Sequence, residues 1–422
     1  MAKTTMFERS RTRVRFSNED MDYLFQVVLG YHTHGGASFG ELFRAASRVE
    51  DGEPESWISA FREMGRRIEH EEVELEERGK PSAAAAFLRA FTGYRAAAFL
   101  MNPKTDLERF SETVEAFVGC FRKAIPSFGH PCESVRVPYE GSYLSGYLYR
   151  ADELGAPRPT LICVGGGDTF AEDLHFWAGA AGPARGYNVL SVELPGYGLS
   201  PTRGLYLLAG LEAPMRAAVE FALARPEVYD EGLVLFGISG GGYAVTRTAA
   251  AEGRVRAAVA TTPIYDIYRL ITEAIPAFLL DESRGGVSRW LLEVSGRFNK
   301  AGKNNMDKFA WQSGKGSLLE AVRVTEGEPV DVGAIGCPML CLAGEGDPPE
   351  ALAQTRYVFD HLEHPKKAMR VLTAEEGAEA HTHVNNLPLL HQVVFDWLDE
   401  TLSPEVTTRG VGPAEFYPNT EV

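Results

Sequence analysis

From about residue 17 to 125, apolar residues recur at steps of three and four. In SWISAFREMGRRIEHEEVELEERG they are Trp57, Phe61, Met64 and Ile68, one stripe of a helix whose other positions are mostly polar or charged. PSAAAAFLRAFTGYRAAAFLM follows as an alanine-rich helix with large apolar residues on one stripe, and Pro81 and Ser82 mark its start. The pattern predicts an all-helical N-terminal lobe over residues 1–130.

Near Glu133 the period drops to two. SVRVPYEGSYLSGYLYR alternates Val135, Val137, Leu144, Tyr147 and Tyr149 about Gly141 and Ser142, which reads as an antiparallel hairpin. Beyond it, apolar strands (TLICVGG, YNVLSVEL, LVLFGI, VRAAVATT) alternate with helical stretches, one around Met215 to Ala224 and one from Gly240. That rhythm predicts an α/β fold, a mostly parallel sheet joined by right-handed crossovers with helices on both faces. The core takes 131–263 as its first part. Helical segments rich in Trp, Phe and Leu break the rhythm over 264–330, as an inserted cap would. It resumes over 331–402 with PMLCLAG, EALAQTRYVFDHL, KAMRVLT and LLHQVVFDWLDE, and 403–422 read as an extended tail.

Composition narrows the function classes. A chain of 422 residues, 45% hydrophobic and 24% charged, can bury a large core with an added subdomain. Its net charge of -16 argues against nucleic acid or an anionic membrane surface as the main partner, and favours a small-molecule substrate. The first twenty residues lack an apolar secretory core, and no apolar run is long enough to cross a bilayer. Five scattered cysteines, at 120, 132, 163, 337 and 341, lack metal-ligand spacing with histidine. Reduced thiols, a cytoplasmic location, no metal and no cofactor are the expectation.

The chemistry concentrates at LVLFGISGGG. Gly237, Ile238, Ser239, Gly240 and Gly241 fit G-x-S-x-G between a strand and a helix, a sharp bend that lifts a nucleophilic hydroxyl above the sheet edge. A phosphate-binding turn would need other glycine spacing and a lysine. A serine hydroxyl needs a base and a carboxylate to hold that base, and in this arrangement the acid and then the histidine follow the serine in the chain. Asp347 follows PMLCLAG; Glu345, nearer the strand end, is expected to line the loop. After KAMRVLT come both His381 and His383. For the oxyanion, Gly240 supplies one backbone N–H, and the early glycine-rich loop VGGGDTF offers Gly166 and Gly167 for the other. Tyr243, Trp177, Tyr94 and Trp311 are candidate pocket walls, with His34 and His175 as further pocket candidates.

GGASFGELFRAASRVEDGEPESW, GKPSAAAAFLRAFTGYRAAAFL, VPYEGSYLSGYL, GGGDTFAEDLHFW, GISGGGY and EEGAEAHTH, in that order, resemble the α/β-hydrolases that carry a helical N-terminal lobe. That group includes 2,6-dihydroxypseudooxynicotine hydrolase, the fungal yellowish-green pigment hydrolases that shorten polyketides, and the fermentation-respiration switch esterases. The resemblance spans about residues 25 to 400. It implies the α/β-hydrolase fold, a Ser239-Asp347-His381 triad, with His381 chosen over His383, and pairing of chains as a homodimer. Better-understood members cut a carbon-carbon bond next to a ketone in aromatic or polyketide-like substrates, so the leading expectation is that reaction, with His381 deprotonating Ser239 or a water. Ester, lactone or thioester hydrolysis or cyclisation uses the same groups, and a catalytically silent binding protein of the same fold is the alternative from another class. Departures from the pattern are Glu193 where Asp is common, Tyr197 where Gln is usual, and Thr382-His383 where Cys-Gln is common. Glu193 joins the expected substrate-binding residues.

Overall fold

The computed structural model describes residues 9–77, 82–273, 275 and 299–402. The N-terminal helices are α1 (Glu19–Gly30), α2 (Phe39–Ala46), α3 (Pro54–Glu77), α4 (Ser82–Leu100) and α5 (Leu107–Ala124). Among the candidate start residues of α4, Pro81 lies outside the described residues. The sequence suggested one apolar stripe on α4, but the helix is buried on nearly every side because α3 and α5 both pack on it. Small alanines permit that all-round contact.

The hairpin is β1 (Cys132–Tyr139) and β2 (Ser142–Tyr149), paired antiparallel with Tyr139 opposite Ser142. Glu140 and Gly141 form its two-residue turn with φ of 46° and 70°, the left-handed pair that suits the twist of adjoining strands. The remaining strands are β3 (Arg158–Val164), β4 (Asn188–Val192), β5 (Val228–Ile238), β6 (Ala257–Thr261), β7 (Met339–Gly344) and β8 (Lys367–Leu372). Together they form one sheet in the order β1-β2-β4-β3-β5-β6-β7-β8, parallel from β4 to β8.

Alternation along β5 divides the core. Val234 and Phe236 join the face that packs on the N-terminal helices and on α12 (Leu387–Thr401). Leu233 and Leu235 face α6 (Glu212–Leu223), α7 (Gly240–Ala251) and α11 (Pro349–His361). The hydrophobic core of the helical lobe is therefore continuous with one face of the sheet, from Trp57 and Phe91 through Phe176 to Leu161.

Between β6 and β7 the described residues form α8 (Ile267–Glu273), α9 (Lys300–Gln312) and α10 (Leu318–Val324). The remainder of the expected cap, 274 and 276–298, and the tail 403–422 lie outside the described residues. No described helix is long and apolar enough to cross a membrane.

Candidate active site

Ser239 ends the strand-to-helix bend between β5 and α7 with φ 58° and ψ -120°. That backbone is strained for any residue with a side chain, and it is sustained by the close packing of the bend. Thr261 Oγ1, at the end of β6, accepts from the Ser239 N–H at 3.3 Å. From the far side of the sheet edge, His381 brings its Nε2 to 2.8 Å from Ser239 Oγ. Its Nδ1 is hydrogen-bonded to Asp347 Oδ1. The other carboxylate oxygen of Asp347 accepts from the Gly344 N–H at 2.7 Å and from Thr262 Oγ1 at 3.4 Å. Burial opposes the charge on Asp347, but the His381 charge and these hydrogen bonds prevail and hold the carboxyl below the ordinary aspartate value.

The two histidines diverge because Thr382 and His383 both have φ of 59°. His381 faces Ser239, while His383 is fully buried with Nδ1 3.0 Å from Ala378 O. Burial pulls the His383 pKa below the ordinary histidine value. Glu345 points elsewhere: it pairs with Arg11 and accepts from the Ala374 N–H at 3.0 Å.

Around the histidine loop, contacts come from distant parts of the chain. Arg9 O accepts from the His381 N–H at 2.7 Å, and Tyr23 OH donates to His381 O at 3.2 Å. Glu379 accepts from Ser10 Oγ at 3.1 Å and from the Thr12 N–H at 3.2 Å. Trp177 Nε1 donates to Thr382 O at 3.1 Å. Trp177 thus braces the loop by its polar edge while its ring packs on Tyr31.

Above the serine lies the glycine-rich loop after β3. The Gly166 N–H donates to Thr169 Oγ1 and the Thr169 N–H donates to Gly166 O, both at 3.0 Å. In a trans peptide the C=O and N–H point oppositely, so the Gly167 N–H is turned away from Thr169. Gly167 N lies 3.5 Å from where a Cβ on Gly240 would stand. Among the described residues, neither the Gly167 nor the Gly240 N–H meets a protein acceptor. Gly166 is not a free donor, contrary to the sequence expectation, because its N–H is spent on Thr169. Its contribution is the missing side chain: a Cβ there would stand 2.8 Å from Ser239 Cβ and 2.9 Å from Ser239 Oγ.

This loop is tied down by residues that sequence reasoning missed. Arg95 of α4 donates from Nε to both oxygens of Asp173, at 3.0 and 2.9 Å, and from Nη2 to Asp168 O. Burial works against the Arg95 charge, yet Asp173 and Asp168 outweigh it and raise its pKa above the ordinary arginine value. Lys308 of α9 donates to Phe99 O at 2.7 Å and to Asp168 Oδ1 at 3.2 Å, and Gln312 donates to Gly167 O.

Several candidate pocket residues engage partners other than the serine. Tyr94 gives its hydroxyl to Glu69 at 2.7 Å between α3 and α4. His34 and His175 belong to a partly buried aromatic cluster with Phe128, His130, Tyr149 and His391. Burial lowers the His34 pKa to about 4. Trp311 packs on Phe110 of α5. Tyr243, one turn along α7, donates to Ala209 O at 2.8 Å. Glu193 is buried below the glycine-rich loop and accepts from the Ala171 N–H at 3.3 Å; burial, then the Glu172 charge, raises its pKa to about 8. A separate cleft of about 370 Å³ is lined by Glu53, Glu55, Ile58, Lys300 and Lys303 and includes none of the serine-site residues. Among the described residues, no three His, Cys, Asp or Glu side chains are grouped to hold a metal ion.

A strand-bend-helix serine, a histidine and a carboxylate at the edge of a mostly parallel sheet coincide with a family match. The profile of the FrsA-like esterases covers residues 54–284. This chain belongs to the FrsA-like esterase family. Its curated relatives extend the likeness to almost full length. The hydrolase LUC6 of Fusarium sp is 28% identical over 92% of this chain and 97% of its own. The 20-hydroxy-prefusarin hydrolase FUS2 of Gibberella moniliformis is 28% identical over 92% of this chain and 98% of its own. Among solved structures, 2,6-dihydroxy-pseudo-oxynicotine hydrolase superposes with a TM-score of 0.68 at 19% identity, over 89% of this chain and 95% of its own. AbyA5 does so with 0.59 at 18% identity, over 89% and 98%. This FrsA-like chain is an α/β-hydrolase with a helical N-terminal region, as the resemblance in its sequence implies.

Proposed function

We propose that this FrsA-like hydrolase uses Ser239, His381 and Asp347 to cleave a small organic substrate at a carbonyl carbon. The observation that carries the reading is the 2.8 Å approach of His381 Nε2 to Ser239 Oγ, opposite two free N–H groups. His381 takes the Ser239 proton as Oγ attacks the carbonyl carbon, and Asp347 stabilises the imidazolium that forms. The oxygen that becomes negative is bonded by the Gly240 and Gly167 N–H groups. As the adduct collapses, the leaving group takes the proton from His381, and a water then releases the acyl group from Ser239 by the same steps.

The bond we assign is carbon-carbon, next to a ketone, with a resonance-stabilised carbanion as leaving group. The sequence resemblance supports this. Hydrolysis of an ester, lactone or thioester is the second reading, and the esterase description of the matching family favours it. Both need the same nucleophile. A fluorophosphonate probe should label the native protein at one site and leave Ser239→Ala unlabelled; an unreactive native serine defeats the proposal. Incubation with p-nitrophenyl esters and with vinylogous diketones separates the readings. Turnover of diketones supports the first, and fast ester turnover with none of diketones supports the second.

A further inference from the structure

Tyr197 lies in the turn that follows β4, between Gly196 and Gly198, whose φ values are 90° and 57°. The turn is closed on both sides: the Tyr197 N–H donates to Leu194 O at 3.1 Å, and Tyr197 O accepts from the Ser200 N–H at 3.0 Å. Its side chain is buried, with the residue 6% exposed. The hydroxyl oxygen lies 3.2 Å from the point where a Cβ on Gly240 would stand, and that point is also bordered by Gly166 Cα at 3.3 Å and Gly167 N at 3.5 Å. The Tyr197 hydroxyl and the Gly167 nitrogen therefore border the same side of Gly240, the residue next to Ser239.

The hydroxyl is also unspent. Tyr23, Tyr31, Tyr147, Tyr187 and Tyr243 each give theirs to a protein oxygen. Tyr197 gives its own to none among the described residues. The residue is buried while its hydroxyl has no protein partner, so a ligand that supplies an acceptor can engage it. Burial raises the phenol pKa above its ordinary value, so the group stays protonated and can donate a hydrogen bond wherever the protein is folded.

We infer that Tyr197 is a third donor to the substrate oxygen that becomes negative when Ser239 attacks. The inference rests on the reading of Ser239 as nucleophile. The phenol keeps its proton throughout; His381 alone moves one. An extra donor favours substrates whose tetrahedral adduct holds a full charge on oxygen.

A trifluoromethyl ketone, which adds to a serine oxygen and forms that charged adduct, is a direct probe, and it needs no natural substrate. Its Ki is read from protection of Ser239 against a fluorophosphonate, in the native protein and in Tyr197→Phe. Loss of one donor to an oxyanion costs on the order of 100- to 1,000-fold. The expected result is a Ki raised by about that factor, with labelling of the variant still reaching one probe per chain at completion. Where a p-nitrophenyl ester is turned over, kcat should fall in step while KM stays within about twofold. An unchanged Ki with full labelling overturns the role of Tyr197 and leaves the nucleophile reading intact. A variant that cannot be labelled to completion assigns Tyr197 a structural role and overturns the inference too. A native protein that never labels overturns the underlying reading with it.

Discussion

Glu193→Gln is expected to flatten the dependence of stability on pH. The Glu193 carboxyl is buried beside Glu172, and its pKa rises from the ordinary 4.5 to about 8 in the folded chain, first from burial and then from the Glu172 charge, against the opposing Ala171 N–H and Arg203. Between those values the native state keeps a proton that the unfolded chain has released. Stability therefore falls as pH rises through that window, and the contribution is fully present only below about 4.5. At about 1.4 kcal/mol per pH unit, an interval of roughly 3.5 units amounts to ~5 kcal/mol. Glutamine keeps an oxygen for the Ala171 N–H but cannot ionise. Guanidinium unfolding of both proteins from pH 5 to 8.5, compared as a difference, reads the Glu193 carboxyl together with the response of Glu172, whose pKa burial also raises. The comparison must be a difference because His34 and His391, with pKa lowered to about 4 and about 3, make both proteins gain stability as pH rises toward 6.5. The native protein should lose several kcal/mol relative to the variant as pH rises. Parallel curves would refute the assignment of a proton to this buried carboxyl.

Three further outcomes test the frame around the serine. Gly166→Ala would place a methyl group 2.8 Å from Ser239 Cβ and 2.9 Å from the Gly240 backbone nitrogen; turnover should fall at least 100-fold and guanidinium unfolding should show a loss of about 1–3 kcal/mol, and a fully active variant of unchanged stability would contradict the close approach of this loop to Ser239. Arg95→Met leaves Asp173 buried without its cation, and breaking such a pair costs about 3–5 kcal/mol; a midpoint unchanged in chemical unfolding would contradict the burial. Deleting residues 1–12 removes the carbonyl that holds the His381 N–H and two partners of Glu379. The expected result is a kcat reduced about tenfold or more in a protein that still folds, checked by circular dichroism alongside turnover.

What could be read from the sequence was mostly local. Strand rhythm, the glycine-bounded bend at Ser239 and the hairpin at Gly141 each depend on neighbours within a few residues, and such patterns survive without knowledge of tertiary contacts. The choice between His381 and His383 was not local: it turns on two successive left-handed residues that aim the rings oppositely. Arg95 did leave a signal, a lone charge inside the apolar FTGYRAAAFL, since a buried guanidinium requires a carboxylate. Lys308 left none, because its burial depends on the end of α4 meeting α9. Nor could Arg9 be found, because its contribution to the histidine loop is made by a backbone carbonyl. Tyr94, a candidate wall, and His34, a further pocket candidate, show the converse: in a lobe whose core runs into the sheet, aromatic rings pack on one another and on that core.

The glycine-rich loop takes its shape from two outside sources, a guanidinium in the N-terminal helices and a lysine and glutamine from the insertion after β6. Neither accessory region is thereby a detachable module. A shortened protein engineered from the sheet and its flanking helices would inherit Ser239 but not the side chains that hold the loop beside it, and any replacement for the insertion would have to bring its own equivalents of Lys308 and Gln312.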